Sequence, residues 1–278
     1  MATKADTITV TPVGGALGAR VGGVDLRRSL DAATVERVFG LLDEHLVLFF
    51  PEQHLDDEQH LAFASAFGVP YVHPLSRAAG NFEAAVGHIV DCVETPPYQD
   101  KWHTDVSWDV EPPAFGTLRA IEMPSRGGDT IWNDMRLAYD ALSPVMQRMI
   151  EPLEAWHDMG SATAFISKAG ADIVARTKER FPGAPHPVVG TQERTGRRFL
   201  YVNGEFTSRI IGLTPDESET LLGLLVRHAT NPNHQVRYRW TVGDVALWDE
   251  RCTQHFAVAD YLPERREMAR VALSARDR

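Results

Sequence analysis

The sequence predicts a mainly β protein with flanking helices, built as a sandwich or barrel. Three observations carry that expectation. From Ala84 onward the chain breaks into short strand-like pieces, among them AVGHIV, GTLRAIEM, DTIWND, RRFLYVN, VRYRW, DVALWDE and ARVALSA. Turn residues separate them, as at Gly127-Gly128 and Gly243-Asp244, which is the punctuation of all-β architectures. No internal repeat or low-complexity linker divides the 278 residues. One domain spanning 1–278 is therefore expected, a length that single β units do reach.

The elements follow in order. TITVTPV (Thr7 to Val13) alternates as a strand does. Asp31 to His45 reads as an amphipathic helix with Val35, Val38, Leu41 and Leu42 on one face. LVLFF (Leu46 to Phe50) is a continuous apolar run closed by Pro51, hence a buried strand. Leu55 to Phe67 reads as a second helix ended by Gly68. Helical inserts begin at Ser143-Pro144 and at Thr214-Pro215-Asp216-Glu217. In the latter Thr214 can cap, Pro215 suits the first turn and Glu217 completes a capping box. Met159 to Pro187 has weak periodicity, and both a flap over a site (159–187) and a plain connection remain open.

Composition limits the function. Apolar residues make up 44% of the chain, enough for a sizeable core, and the formal net charge is −10. Such a chain has no general attraction for nucleic acid or anionic lipid. An anion would have to be held by a few positioned arginines. The N-terminal MATKADTITV lacks a signal core, and no apolar run approaches the roughly 20 residues of a membrane span. The only cysteines, Cys92 and Cys252, argue against a disulfide framework. A cytoplasmic setting is expected, with neither nucleic acid nor membrane as partner.

Chemistry concentrates in KWHTDVSW, Lys101 to Trp108. On a strand, residues two apart share a face, so His103 and Asp105 would converge. Imidazole and carboxylate together suit a divalent first-row metal. Downstream, WDERCTQHFAVADYLPERREMAR adds His255 and then Arg265, Arg266 and Arg270. Two histidines and one carboxylate on one side of a metal form the facial triad of non-haem iron oxygenases, which leaves positions open. A structural zinc site would be closed by a fourth ligand. Even spacing along a strand puts Arg266 and Arg270 on one face. Guanidinium forks there could hold carboxylate or sulfonate, or simply join Glu264 and Glu267 in a solvated charge run. By parity Cys252 faces away from His255. Of the other histidines, His45, His54, His60, His88, His157, His228 and His234 read as surface or core residues.

GARVGGVDL, WHTDVSW, PSRGGDTIW, LYVNGEFTSRI and WDERCTQHFAVADYLPERR, taken jointly, resemble the TauD/TfdA family of Fe(II)- and 2-oxoglutarate-dependent dioxygenases, most closely its taurine dioxygenases. The resemblance implies a double-stranded β-helix, the distorted, cupin-like jelly-roll, with one iron at its mouth. It implies His103, Asp105 and His255 as catalytic iron ligands. Arg266 and Thr130 would hold the distal carboxylate of 2-oxoglutarate. Arg270, His73 and the backbone N–H of Val106 would hold the anionic head of the substrate, with Gln99 and Phe206 farther along it. With O2, the family's reaction yields succinate and CO2 and hydroxylates the substrate beside its anionic group. A small organic anion is implied, taurine or a related sulfonate, releasing sulfite and an aldehyde. A homo-oligomer, dimer or tetramer, is implied as well.

The amine end departs from the taurine-using pattern. Ser76 stands where a tyrosine is typical, and Gln99 stands where an asparagine is. The same chemistry on an alkyl sulfate ester or aryloxyalkanoate therefore stays open. So do two readings from other classes. A zinc hydrolase could use the same three ligands, though it needs a general acid or base that the sequence does not reveal. A non-catalytic barrel could bind a small anion around a structural metal.

Overall fold

The structure is a computed structural model and describes residues 8–160, 166 and 169–276. The chain begins with β1 (Thr9–Pro12), β2 (Ala19–Gly22), α1 (Ala32–His45), β3 (Val47–Phe50), α2 (Asp57–Ser65), β4 (Val69–Tyr71), α3 (Pro74–Ala78) and β5 (Gly87–Asp91). It continues through β6 (Phe115–Glu122), β7 (Thr130–Asp134), α4 (Met135–Asp140), α5 (Pro144–Ile150), β8 (Glu154–His157), α6 (Ala171–Arg180), β9 (Ala184–Pro187) and β10 (Val189–Thr191). It ends with β11 (Arg198–Leu200), β12 (Thr207–Ile210), α7 (Pro215–Ala229), β13 (Gln235–Tyr238), β14 (Val245–Asp249), β15 (Thr253–Ala257) and β16 (Arg266–Ser274).

The major sheet runs β1-β2-β3-β14-β6-β16-β4, with β5 also paired to β16. A three-stranded sheet, β13-β7-β15, faces it. Smaller sheets, β12-β8-β9 and β10-β11, extend the second layer. No sheet closes into a barrel among the described residues, so of the two expected architectures the sandwich is the one found.

Alternation along the strands explains how both faces of the major sheet are buried. In β3, Val47 and Phe49 point into the core between the sheets, while Leu48 and Phe50 point into a second core beneath α1 and α2. In β14, Ala246 and Trp248 take the first direction and Val245 and Leu247 the second. A strand covered on both sides must be apolar throughout, which is why LVLFF does not alternate. Phe49 stacks on Tyr238 of the facing sheet at 3.9 Å between centroids, and Trp132 meets Trp248 edge-on at 5.8 Å. These aromatics lock the two layers together behind the site.

The first helix is capped by Asp31, whose side chain accepts from the Thr34 N–H. It buries Val38, Leu41 and Leu42 and leaves Val35 half-exposed. The second helix is shorter than expected. It starts after Asp56, which forms a reciprocal capping box with Gln59, and stops at Ser65. Gly68 serves a different purpose: a Cβ there would lie 2.5 Å from the Ser274 carbonyl, where the chain crosses the end of β16. The Thr214–Glu217 box forms as expected. Part of 159–187 lies outside the described residues; the described remainder includes α6 and β9. The last strand begins at Arg266, earlier than ARVALSA, and so carries both arginines of interest.

Candidate metal and anion site

His103 and His255 are brought together by main chain. The His103 N–H donates to the His255 carbonyl at 3.1 Å, and the His255 N–H returns the bond at 2.9 Å. Residues paired this way across antiparallel chains present their side chains on the same face. The two imidazole centroids lie 4.2 Å apart.

The expected strand through His103 and Asp105 is not there. His103 makes a single isolated bridge and the chain turns at once. The Thr104 hydroxyl donates to the Thr253 carbonyl at 3.0 Å, and the Asp105 N–H donates to Glu250 Oε1 at 2.6 Å. Val106 then adopts φ +52°, an outlier for a β-branched residue. Convergence survives because the turn, rather than the pleat, aims Asp105 inward. Its Oδ1 lies 3.6 Å from His103 Nε2.

The donor set of these three residues fits a divalent metal. One ligand atom from each of His103, Asp105 and His255 lies within 4.8 Å of the others. His103 Nδ1 sits 2.7 Å from the Lys101 carbonyl. A carbonyl only accepts, so Nδ1 carries the proton and Nε2 offers a lone pair. That Nε2 is buried without a hydrogen-bond partner. An orphaned buried acceptor of this kind is one that a metal ion would satisfy. Burial, then the neighbouring His103, pushes His255 down to about 3, so it is neutral. Burial works to raise Asp105, but Arg270, His255 and His103 outweigh it and hold the carboxyl below its usual range. Neutral imidazole and ionised carboxylate are the forms that bind metal.

Two cavities meet at this cluster. The larger, about 400 Å³, is lined by His103 and Asp105. The smaller is lined by His255, Thr130 and Arg266. Ile89, Gln99 and Arg270 line both and form the partition. Arg270 donates from Nη1 to Asp105 Oδ2 at 2.7 Å. Arg266 is 3% exposed and donates from Nε to the Gly128 carbonyl at 3.0 Å. Gly128 has φ +71°, and a Cβ on it would approach the Arg266 side chain to 3.1 Å. The Gly127-Gly128 turn thus makes room for a buried guanidinium. Arg265, by contrast, is an exposed partner of Glu122 and Glu267, so the charge-run reading applies to it alone of the three.

The other expected residues line these cavities with usable donors. Thr130 Oγ1 accepts from the Trp240 indole at 2.9 Å, which leaves its own proton to donate. His73 is pushed down to about 3 by burial and then Arg270. Its Nδ1 accepts from the Leu75 N–H at 3.1 Å, so the proton of the neutral ring is on Nε2. The Val106 N–H donates to no protein acceptor among the described residues. His73, Gln99, Val106 and Phe206 all line the larger cavity, as does Ser76. Phe206 stands edge-on to His103 and also packs in a small core with Val106 and Trp108.

One residue escaped sequence reasoning. Glu250, 1% exposed, presents its carboxyl to the back of the cluster. Burial, then the charge of Asp105, pushes this carboxyl up. Nothing in WDERC tells an inward glutamate from a solvated one. The sequence reveals no acid or base beside the metal ligands, and the structure shows Glu250 behind them, lining neither cavity. A buried network supports the turn as well: the Ser107 hydroxyl accepts from Asn203 Nδ2 at 3.0 Å and lies 3.1 Å from His157 Nδ1.

Residues 9–272 match the family described as taurine catabolism dioxygenase TauD, TfdA family. The chain belongs to the TauD/TfdA family. It is 36% identical to an alpha-ketoglutarate-dependent sulfate ester dioxygenase of Pseudomonas putida, over 96% of this chain and 89% of that one. It is 34% identical to an alkylsulfatase of Acinetobacter baylyi, over 94% and 83%. The crystal structure of a taurine dioxygenase from Burkholderia xenovorans superimposes with a TM-score of 0.80 at 35% identity, covering 97% and 91%. As a TauD/TfdA member the chain is a 2-oxoglutarate-dependent dioxygenase that uses Fe(II) and O2, with the jelly-roll fold of that family. TauD/TfdA enzymes act on small organic anions. No helix among the described residues is long and apolar enough to cross a membrane.

Proposed function

We propose that the enzyme oxidises a sulfate ester or sulfonate with an uncharged, apolar tail, and that an alkyl sulfate is its preferred substrate. His103, Asp105 and His255 hold Fe(II). Arg266 and the Thr130 hydroxyl hold the distal carboxylate of 2-oxoglutarate in the smaller cavity. Arg270, the His73 Nε2–H and the Val106 N–H hold the anionic head in the larger one. The same reading carries a cytoplasmic, homo-oligomeric enzyme.

The lining of the larger cavity carries the choice of tail. Tyr71, Leu75, Tyr98, Trp108 and Phe206 supply apolar surface. Among the described residues its only carboxylates are Asp105, paired with Arg270, and Glu205, paired with Lys101 at 2.9 Å. A substrate ammonium would therefore be desolvated without an unpaired counter-charge, which is costly. An alkyl chain loses nothing there.

Bound iron with 2-oxoglutarate and O2 supplies the oxidant that converts one substrate C–H into C–OH, leaving succinate and CO2. The protein's part is position: Arg270 fixes the head so that the adjoining carbon lies beside the metal ligands. For R–CH2–O–SO3⁻ the product R–CH(OH)–O–SO3⁻ breaks its C–O bond. The hydroxyl proton leaves with sulfate, and an aldehyde remains.

The test is a panel of linear alkyl sulfates and alkanesulfonates, with taurine and aryloxy acids, scored by succinate formed per substrate consumed. Each buried methylene contributes about 0.8 kcal/mol, so kcat/KM is expected to rise about fourfold per carbon until the cavity is full. Taurine performing as well as an alkyl sulfate would overturn the proposal.

A further inference from the structure

Glu250 has no part in the function proposed above, and its surroundings assign one. It lies on the loop between β14 and β15 and lines neither cavity. Its Oε1 accepts the Asp105 N–H at 2.6 Å, and its Oε2 accepts the Trp248 indole N–H. Trp248 packs edge-on against the His255 ring at 5.5 Å. Glu250 Oε1 also lies 3.7 Å from His255 Nδ1, a buried nitrogen with no hydrogen-bond partner. A single side chain thus bears on the segments that carry two of the three metal-capable groups.

The two histidines differ in how they are steadied. A metal-binding imidazole nearly always gives its second N–H to a carboxylate, carbonyl or water, which sets the ring's orientation and basicity. His103 has that partner in the Lys101 carbonyl. For His255 the acceptor facing Nδ1 is Glu250.

We propose that Glu250 is the positioning residue of the metal site: its carboxyl holds Asp105 by the main chain and accepts a hydrogen bond from the Nδ1–H of His255, leaving Nε2 to the metal. Closing the 3.7 Å gap to hydrogen-bond distance asks for less than 1 Å of ring movement. The inference rests on the assignment of His103, Asp105 and His255 as ligands. It adds that the geometry of two of them depends on a fourth, non-ligating residue.

Substitution by glutamine separates positioning from mere filling of space. The amide has the same shape but one acceptor oxygen, so it cannot receive both the Asp105 and the Trp248 N–H. The experiment measures Co(II) binding to metal-free enzyme by calorimetry, alongside thermal melting of the same samples. Glu250→Gln and Glu250→Ala should melt as folded proteins and bind Co(II) about 10- to 100-fold more weakly. The KM for 2-oxoglutarate at saturating Fe(II) should stay within about twofold.

Unchanged Co(II) affinity in a folded Glu250→Gln or Glu250→Ala protein would overturn the proposal. So would failure of both variants to fold, since the group would then be structural. His255→Ala is the control for the underlying assignment. If that variant binds Co(II) as well as the unmodified enzyme, the ligand set is wrong, which is a separate failure from that of Glu250.

Discussion

Replacing Arg270 by alanine should damage use of the organic anion and spare 2-oxoglutarate. The guanidinium lines the larger cavity, and its Nη1 is 2.7 Å from Asp105 Oδ2. An oxyanion about 4 Å from the guanidinium, at an effective dielectric near 20, interacts by about 4 kcal/mol. Asp105 already neutralises part of that charge, so about 2–4 kcal/mol is the working range. This corresponds to a loss of about 30- to 1000-fold in kcat/KM for the primary substrate. Arg266 stands on the other side of the partition, so Arg266→Ala should raise the KM for 2-oxoglutarate instead. Two assays separate the effects: succinate formation at varied organic anion under saturating 2-oxoglutarate, and slow succinate formation without any organic anion. Arg270→Ala should retain the second and Arg266→Ala should lose it. Equal losses on both ligands for either variant would refute the division of labour between the two arginines.

Asp105→Ala should abolish metal binding and turnover while the metal-free protein still melts cooperatively, checked by calorimetry with Co(II); retained turnover would remove Asp105 from the metal set. The metal-free protein should also lose stability in acid. Burial, helped by Arg119 for His60 and by His186 for His157, pushes each ring down to about 3. Unfolded, they titrate near 6.5. The unfolded chain therefore binds more protons, so full stability holds above pH 6.5 and is lost as pH falls toward 3. Each group contributes a slope of about 1 kcal/mol per pH unit within that window. His60→Gln should flatten urea-unfolding stability against pH between 6 and 4 by that amount, and an unchanged slope would contradict the assignment.

The legible parts of the sequence were those where local pattern and tertiary environment agree. LVLFF read as a buried strand and is one, covered on both faces, and Thr214 announced a helix start through its capping box, whereas the caps at Asp31 and Asp56 emerge only in the structure. His103 and Asp105 were paired correctly for a wrong reason: parity on a strand predicts convergence, and a tight turn at Val106 delivers it. No single-sequence signal marks a positive φ at a valine, because the strain is tolerated only by contacts from elsewhere in the chain. Glu250 was invisible on the same ground. Its direction is set by the path from β14 to β15, and its two N–H partners are 145 residues away and two residues away. The arginines lay between these cases. Spacing put Arg266 and Arg270 on one face, but only the packed sheet distinguishes them from exposed Arg265.

That spacing bears on how the two proposed anion sites would be kept apart. Four strand steps of about 3.3 Å place the Cα atoms of Arg266 and Arg270 about 13 Å apart along β16. One side chain serves the smaller cavity. The other forms part of the partition and touches Asp105. A dicarboxylate reaching from the metal cluster can span to Arg266, whereas an anion with one head and an apolar tail gains nothing in a narrow cavity. In the larger cavity the proposed tail would meet Tyr98, Trp108 and Phe206. On the proposed assignment, discrimination would come from cavity size and apolar lining, with like charges on both guests and similar guanidinium hosts. Filling the larger cavity's outer end should then shorten the preferred tail without touching 2-oxoglutarate. Ala169→Phe, at the rim of that cavity, is expected to shift the optimum by one or two carbons on the alkyl sulfate panel. An unshifted optimum would place the tail elsewhere.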